Sequence, residues 1–141
     1  MNAIPLGAKG SFSTIVTLEH LASRFKDPTL PPVLATPLMI LFMENAALNA
    51  IRAYLAPGES ALGTLVDVRH LAATPEGQRV TAEAVVTAVE GRRIVFAVTA
   101  SDETQEIGSG MHERALVDLG RLAQRLEAKR HRSSAEPPKA S

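Results

Sequence analysis

The chain has 141 residues, in which 15 lysine and arginine residues balance 15 aspartate and glutamate residues, so its formal net charge is zero. This length fits one domain with a real hydrophobic core. The neutral charge gives no electrostatic reason to expect a nucleic acid or an anionic membrane as a partner. Because the chain contains no cysteine, disulfides, thiolate catalysis and thiolate metal ligation are excluded.

No motif for a cofactor or a targeting signal stands out. The N-terminal sequence MNAIPLGAKG lacks the charged start and long apolar run of a secretion signal. The four histidines do not have the spacing of paired metal ligands, and there is no phosphate loop or dinucleotide fingerprint. We therefore expect a cytoplasmic protein with no metal and no cofactor.

The first half of the chain predicts a strand, a short helical turn and a proline-rich loop, in that order, at residues 11–18, 19–25 and 26–35. A long helix then begins at Thr36, a candidate N-cap ahead of Pro37, and ends at Leu55 before a Pro-Gly stop signal. This helix is apolar on nearly every side, which is typical of a helix buried in the centre of a domain. It approaches the length of a membrane span, about 20 residues, but it carries charged side chains.

The second half predicts four strands separated by turn signals, at residues 61–74, 79–89, 92–101 and 104–117. Glu90 and Gly91, between the second and third of these, are a strong hairpin signal. A helix is predicted at 118–130, and the polar tail at 131–141 is expected to be disordered. Residues 1–130 are therefore interpreted as one domain.

This order of elements predicts an α+β fold. A five-stranded antiparallel sheet would wrap around one long central helix, which is the hotdog pattern. Such a sheet has free edges, and pairing of two edges would cover them. We therefore expect a homodimer or a higher homo-oligomer.

Glu44 is the residue most out of place in the long helix. By the three- and four-residue spacing of a helix it shares a face with Leu41, Leu48 and Ile51. A carboxylate there must find a partner, stay protonated or serve chemistry. Glu44 is therefore either a structural carboxylate or a nucleophile or general base.

Two other residues could act with Glu44. His70 is predicted on an apolar strand face with Val66 and Val68, where a single histidine is usually a core residue. Its ordinary pKa of about 6.5 also suits proton transfer. Thr36 is a helix cap in the simplest interpretation, but a positive helix end also suits an oxyanion.

Arg114 lies in the last predicted strand. We expect it to be an ion-pair partner of a buried carboxylate. If its side chain points inward, it could also hold a phosphate or carboxylate of a ligand.

Five blocks of sequence within residues 33–120 resemble a known family: ATPLMILFMENA, RAYLAPGESALGT, VRHLAATPEG, VEGRR and EIGSGMHERA. They are similar to the fluoroacetyl-CoA thioesterase-like branch of the hotdog-fold thioesterases. The resemblance implies a helix wrapped by a five-stranded antiparallel sheet, and a dimer with its sites at the subunit interface. It also implies hydrolysis of an acyl-CoA-type thioester.

The same resemblance implies roles for five residues. Thr36 and Glu44 would act together on the acyl carbonyl, and His70 would supply proton transfer. Gly63 matches a glycine whose backbone helps bind the thioester oxygen, and Arg114 matches an arginine associated with the substrate.

One segment departs from the family pattern. The fluoroacetyl-specific enzyme carries phenylalanines ahead of the threonine, which form a lid over the small acyl group. In this chain the segment is KDPTLPPVLAT, with Asp27 and Leu30 at those positions. We therefore do not expect a lid that senses fluorine, or a role in fluoroacetate detoxification.

The predicted function is hydrolysis of an acyl-CoA thioester, with a short acyl chain. The alternative is a non-catalytic module that binds acyl-CoA or a small ligand, which would keep the pocket and Arg114 but not depend on Glu44. A hotdog dehydratase, which also uses a histidine and a carboxylate, is a third option. The presence of Thr36 and Glu44 on one helix fits a thioesterase better.

Overall fold

A computed structural model describes residues 3–135, with side chains up to residue 132. The described strands are β1 (Lys9–Ile15), β2 (Glu59–His70), β3 (Arg79–Glu90), β4 (Arg93–Ser101) and β5 (Glu106–Asp118). The described α-helices are α1 (Ala22–Phe25), α2 (Thr36–Ile51) and α3 (Leu119–Ala135), with short 3-10 helices at Leu18–His20 and Arg52–Tyr54. The protein is therefore α+β, as the sequence predicts.

The strands form one curled antiparallel sheet in the order β1-β3-β4-β5-β2. The predicted hairpin joins β3 to β4, and Gly91 adopts the positive φ of 60° that its turn requires. Strands β1 and β2 are the two edges of the sheet. The predicted five-stranded sheet with a long central helix is confirmed.

Helix α2 buries one face against the sheet, through Met39, Phe42, Met43, Ala46, Ala47, Ala50 and Ile51. Full burial of each large side chain of this kind contributes roughly 1.5–3 kcal/mol. Strand β1 crosses the helix at Gly10, where an added Cβ would lie 2.2 Å from the Ala50 nitrogen. Small residues at this crossing therefore let the strand and the helix approach closely.

The opposite face of α2 differs from the sequence prediction. The helix is apolar on nearly every side, yet Leu41 is 44 % exposed and the Glu44 side chain is 35 % exposed. The sheet covers only one side of a helix, so burial from several directions is wrong for a single chain. The face that remains open is the one that carries Glu44.

The end of β2 shapes the region near the N-terminus of α2. The strand ends at His70, rather than at residue 74 as predicted. The following segment pairs instead with the proline-rich loop, since the Leu34 N–H donates to the Thr74 carbonyl at 2.8 Å. His70 is thereby placed beside the first turn of α2.

Two termini also differ from prediction. Strand β1 occupies Lys9–Ile15, so it starts two residues earlier than predicted. It also ends three residues earlier, because residues 17–20 form a 3-10 turn in which the Thr17 N–H donates to the His20 ring. Helix α3 continues to Ala135, so 131–135 are helical rather than part of a disordered tail. The rest of that predicted tail, 136–141, lies outside the described residues.

The described residues contain neither a membrane-spanning helix nor a cluster of metal ligands. None of its helices has both the length and the apolar character needed to cross a bilayer. Within the same range, His, Asp and Glu side chains form no group of three that could hold a metal ion.

Candidate active site

Thr36 and His70 form the first part of the candidate site. Thr36 Oγ1 lies 2.8 Å from His70 Nδ1, within hydrogen-bond distance. The expected role of Thr36 as the helix cap is wrong, because the N-cap is Ala35 and no side chain caps the helix. Thr36 already has helical backbone geometry, so its hydroxyl does not lie where an N-cap oxygen meets the free N–H groups.

A cavity of about 390 Å³ adjoins this pair. Its walls come from the proline-rich loop, from Thr36 and His70, and from residues 71–73 that follow β2. Alanine, leucine, valine and proline dominate the lining, and no phenylalanine contributes to it. The cavity is therefore a mainly apolar space, with the Thr36 hydroxyl, the His70 imidazole and the Lys26 side chain at its wall.

The surroundings of His70 favour its neutral form. Burial lowers the pKa of His70 below its ordinary value, and the backbone of Ala72 opposes part of this shift. Nε2 is buried, and it makes no hydrogen bond of good geometry within the described chain. Since Nδ1 already contacts Thr36, Nε2 is the ring nitrogen that has no hydrogen-bond partner among the described residues.

Glu44 and Arg114 form the second part of the site. Arg114 Nη1 lies 3.5 Å from Glu44 Oε2, and the arginine side chain is 7 % exposed. Its Nε and Nη2 donate to the Ala61 carbonyl at 3.2 and 2.7 Å. The prediction that Arg114 pairs with a carboxylate is confirmed. Burial lowers the pKa of Arg114, and the nearby Glu44 carboxylate opposes that shift.

Gly63 lies directly against the carboxylate. A Cβ at this position would be 2.8 Å from Glu44 Oε2. The glycine also borders an irregularity in β2, where the pairing with β5 shifts between Gly63 and Leu65. Only a residue without a side chain therefore fits here unless the carboxylate moves.

His112 is a neighbour of this second part that the sequence analysis overlooked. Its Nε2 lies 3.1 Å from Arg114 Nη1, and its Nδ1 lies 2.8 Å from the Leu65 carbonyl. The ring stacks on Phe96, with centroids 5.8 Å apart. The available signal was the two-residue spacing of His112 and Arg114, which places both side chains on one face of a strand.

The two parts do not meet within one chain. Thr36 and Glu44 are eight residues apart on α2, which is about 12 Å along the helix axis. Among the described residues, no hydrogen bond or ion pair joins Glu44 to Thr36 or His70. The sequence-predicted residues therefore separate into a Thr36–His70 group and a group of Glu44, Gly63 and Arg114.

Solved structures with the same fold identify the class of protein. A hypothetical protein from Thermus thermophilus, described as a thioesterase superfamily member, superposes with a TM-score of 0.90 at 33 % identity, over 96 % of this chain and 100 % of that one. A variant of the fluoroacetyl-CoA-specific thioesterase, crystallised with fluoroacetate and CoA, gives 0.79 at 38 % identity, over 84 % and 98 %. The protein is a hotdog-fold thioesterase, as predicted.

Sequence comparisons identify the family. The family model of the fluoroacetyl-CoA-specific thioesterase matches residues 16–119. The fluoroacetyl-CoA thioesterase of Streptantibioticus cattleyicolor is 46 % identical over 114 residues, which is 80 % of this chain and 82 % of that protein. The chain therefore belongs to the fluoroacetyl-CoA-specific thioesterase family, and the predicted resemblance is confirmed.

The low pKa of His70 predicts a pH dependence of stability. Because burial lowers the pKa of the folded state, the unfolded chain binds the proton more readily, and stability is lost as the pH falls below about 6.5. The free energy of unfolding should therefore decline less between pH 8 and pH 5.5 in His70→Gln, which has no titrating ring. Urea unfolding at both pH values measures this difference, and an equal decline in both proteins would contradict the burial effect.

Proposed function

We propose that this protein is a cytoplasmic homodimer that hydrolyses short-chain acyl-CoA thioesters at sites built from both subunits. One observation carries the proposal. The hydrogen-bonded Thr36–His70 pair lines a cavity, while the only carboxylate that the family resemblance assigns to the reaction, Glu44, lies two helical turns away on the same helix. A second chain would supply the missing carboxylate to each cavity.

The spacing along α2 suits a two-fold arrangement. Thr36 and Glu44 are each four residues from Ile40. Two α2 helices that pack antiparallel about an axis near Ile40 would place Thr36 opposite the partner's Glu44, and the reverse, as an isologous interface requires. The exposed Leu41 lies next to this proposed axis and would become buried.

The β2 edge supports the same arrangement. Residues 62–67 of this edge strand are all exposed, although Leu62, Leu65 and Val66 are apolar. An exposed apolar edge invites pairing with another chain. Antiparallel pairing of two β2 strands would extend the sheet across the dimer and bring the open faces of the two α2 helices together.

The Thr36–His70 contact suggests how protons move. With Nδ1–H donating to Thr36 Oγ1, His70 Nε2 is a base, and the Thr36 hydroxyl is left to donate to the thioester oxygen. The partner's Glu44 would either attack the acyl carbon to give a mixed anhydride, or accept a proton from an attacking water. In the first route water then hydrolyses the anhydride. In both routes the proton taken from that water would pass, directly or by way of Glu44, to His70 Nε2 and then from the imidazolium to the departing CoA sulfur, which leaves a carboxylic acid, a thiol and the Glu44 carboxylate.

We propose that Arg114 mainly holds the Glu44 carboxylate in place and makes little contact with the substrate. Of its five N–H donors, two point to the Ala61 carbonyl, one points to His112, and one faces Glu44. One N–H donor remains for a ligand. This single donor would make the substrate contact that the family resemblance implies. The Gly63 backbone, beside the same carboxylate, is the proposed aid in binding the thioester oxygen.

The cavity is proposed to hold a short aliphatic acyl group. Leu30 lines it at one of the two positions where the family resemblance expects phenylalanine. Asp27, at the other, is exposed and accepts hydrogen bonds from Thr29. The space therefore selects by size and apolar contact, without an aromatic lid.

The first prediction concerns Glu44. Glu44→Gln keeps the size of the side chain but removes the nucleophile or base, so kcat/KM for acetyl-CoA should fall by at least about 100-fold. Thiol release measures the rate, and Glu83→Gln, an exposed change on β3, is the matched control. Turnover at the wild-type level in Glu44→Gln would remove this residue from the mechanism. Wild-type protein that releases thiol only at the uncatalysed rate, across a panel of acyl-CoAs, would favour a binding module.

The second prediction tests the composite site by complementation. His70→Asn and Glu44→Gln should each be inactive, but a heterodimer of the two has one cavity with a native His70 and a native partner Glu44. Random reassembly of equal amounts should therefore restore about one quarter of the wild-type activity, since half of the dimers are mixed and each has one intact site. If both residues serve one cavity from the same chain, mixing will restore no activity.

The third prediction concerns the acyl group. An apolar cavity without an aromatic lid separates substrates that differ slightly in size by no more than about 200-fold. The kcat/KM values for fluoroacetyl-CoA and acetyl-CoA should therefore differ by less than this factor, and butyryl-CoA should be accepted. A larger preference for fluoroacetyl-CoA would show that this cavity recognises fluorine by other means.

A further inference from the structure

We propose that His112 is a positioning residue, a buried neutral histidine that holds the Arg114 guanidinium beside Glu44 and fixes the irregular stretch of β2 that carries Gly63. The inference rests on the proposed function, because that function places Glu44 at the reacting thioester. His112 does not line the cavity beside Thr36 and His70.

The two partners of the ring define its tautomer. The Leu65 carbonyl can only accept a hydrogen bond, so Nδ1, 2.8 Å away, carries the proton. The Arg114 guanidinium can only donate, so Nε2, 3.1 Å away, presents its lone pair. Both contacts are satisfied only by a neutral imidazole with its proton on Nδ1.

The packing of the ring supports this assignment. His112 is 2 % exposed and stacks on Phe96 of β4. Burial lowers the pKa of His112, the Leu65 carbonyl opposes the shift, and the positive charge of Arg114 adds to it. A second ring proton would face a guanidinium, so the neutral ring is the form that fits.

The same ring fixes β2 where its pairing is irregular. The register with β5 shifts between Gly63 and Leu65, opposite Arg114 and Glu113. The Leu65 carbonyl is bonded to His112, and the Thr64 hydroxyl donates to the Glu113 carbonyl at 3.2 Å. The Gly63 backbone is thereby kept against the carboxylate of Glu44.

Arg114 therefore has two neutral anchors, the Ala61 carbonyl and His112, and one charged partner, Glu44. Nη1 is the atom shared between the imidazole and the carboxylate. Without the imidazole, Glu44 is the one remaining polar partner of this nitrogen among the described residues, and the ion pair is free to shift. A displacement of about 1 Å at a reacting group lowers a rate by on the order of 100-fold.

A double-mutant cycle tests whether His112 acts through Arg114. His112→Phe keeps the stacking on Phe96 but removes both hydrogen bonds, and kcat for acetyl-CoA should fall by about 10- to 100-fold with little change in KM. In an Arg114→Gln background the same change should cost less than about twofold, because the group it positions is gone. His112→Gln, which can donate and accept, should recover part of the loss. Glu106→Gln, an exposed change on the same strand, is the control.

The state of the ring can be measured without any assay of turnover. Nitrogen-15 NMR of the folded wild-type dimer should show His112 as the Nδ1–H tautomer, with a pKa below that of a free histidine. The charged groups acting on the ring are Arg114 and Glu113 of β5 and Glu44 of α2, while β4 presents Phe96 and β2 presents a carbonyl. The pKa should rise in Arg114→Gln and fall further in Glu44→Gln, because these variants remove charges of opposite sign.

The possible failures are distinguishable. If the wild-type protein does not hydrolyse thioesters, the proposed function is overturned. The NMR measurements of the His112 ring would still test its hydrogen bonds to Leu65 and Arg114. An Nε2–H tautomer would overturn the positioning role. Equal losses from His112→Phe in both backgrounds would also overturn it, since they would show a structural effect independent of Arg114.

Discussion

Thr36 and Glu44 are eight residues apart on α2, and this spacing of about 12 Å along the helix axis determines how the site can be assembled. Helix α2 packs against the sheet, with Met39 and Ala46 fully buried on one face, and the two candidate side chains do not meet within a chain. Thr36 finds His70 at the end of β2 instead, and Glu44 finds Arg114 on β5. A two-fold axis near Ile40 is the simplest arrangement that would unite the two groups.

The partial exposure of Glu44 fits the proposed dimer interface. Its side chain is only partly covered in one chain, whereas Arg114 beside it is buried and held by backbone and imidazole contacts. The Arg114 guanidinium is therefore already fixed within one chain, in which the Glu44 carboxylate is only partly desolvated. Covering Glu44 with a second α2 helix would strengthen the ion pair, because the effective dielectric constant around it would fall.

Much of the architecture could be predicted from sequence, because local signals and burial patterns agree. Pro37 and the apolar run define α2, and Glu90-Gly91 defines the β3–β4 hairpin. Glu44 could be identified because a carboxylate on an apolar helix face is unfavourable without a partner. Arg114 could be identified as a candidate partner for it.

The remaining features depend on tertiary contacts that have no local signal. The contact of Thr36 with His70, in place of a helix cap, depends on where β2 ends. Beyond that end, Thr74 and Pro75 pair with the proline-rich loop. His112 was overlooked because its role requires the register shift of β2 opposite β5. Pattern reasoning assigns faces to strands, but it does not place an irregularity in their pairing.

The most direct test of a site shared between subunits is a crystal structure of the dimer with a non-hydrolysable acyl-CoA analogue. The measurement is the distance of two atoms from the analogue's carbonyl carbon, His70 Nε2 and the nearer carboxylate oxygen of the partner's Glu44. We expect both to line one cavity, with the carboxylate oxygen about 3–3.5 Å from that carbon or one water molecule away. A dimer in which these groups open into separate cavities, with the analogue beside only one of them, would contradict the account.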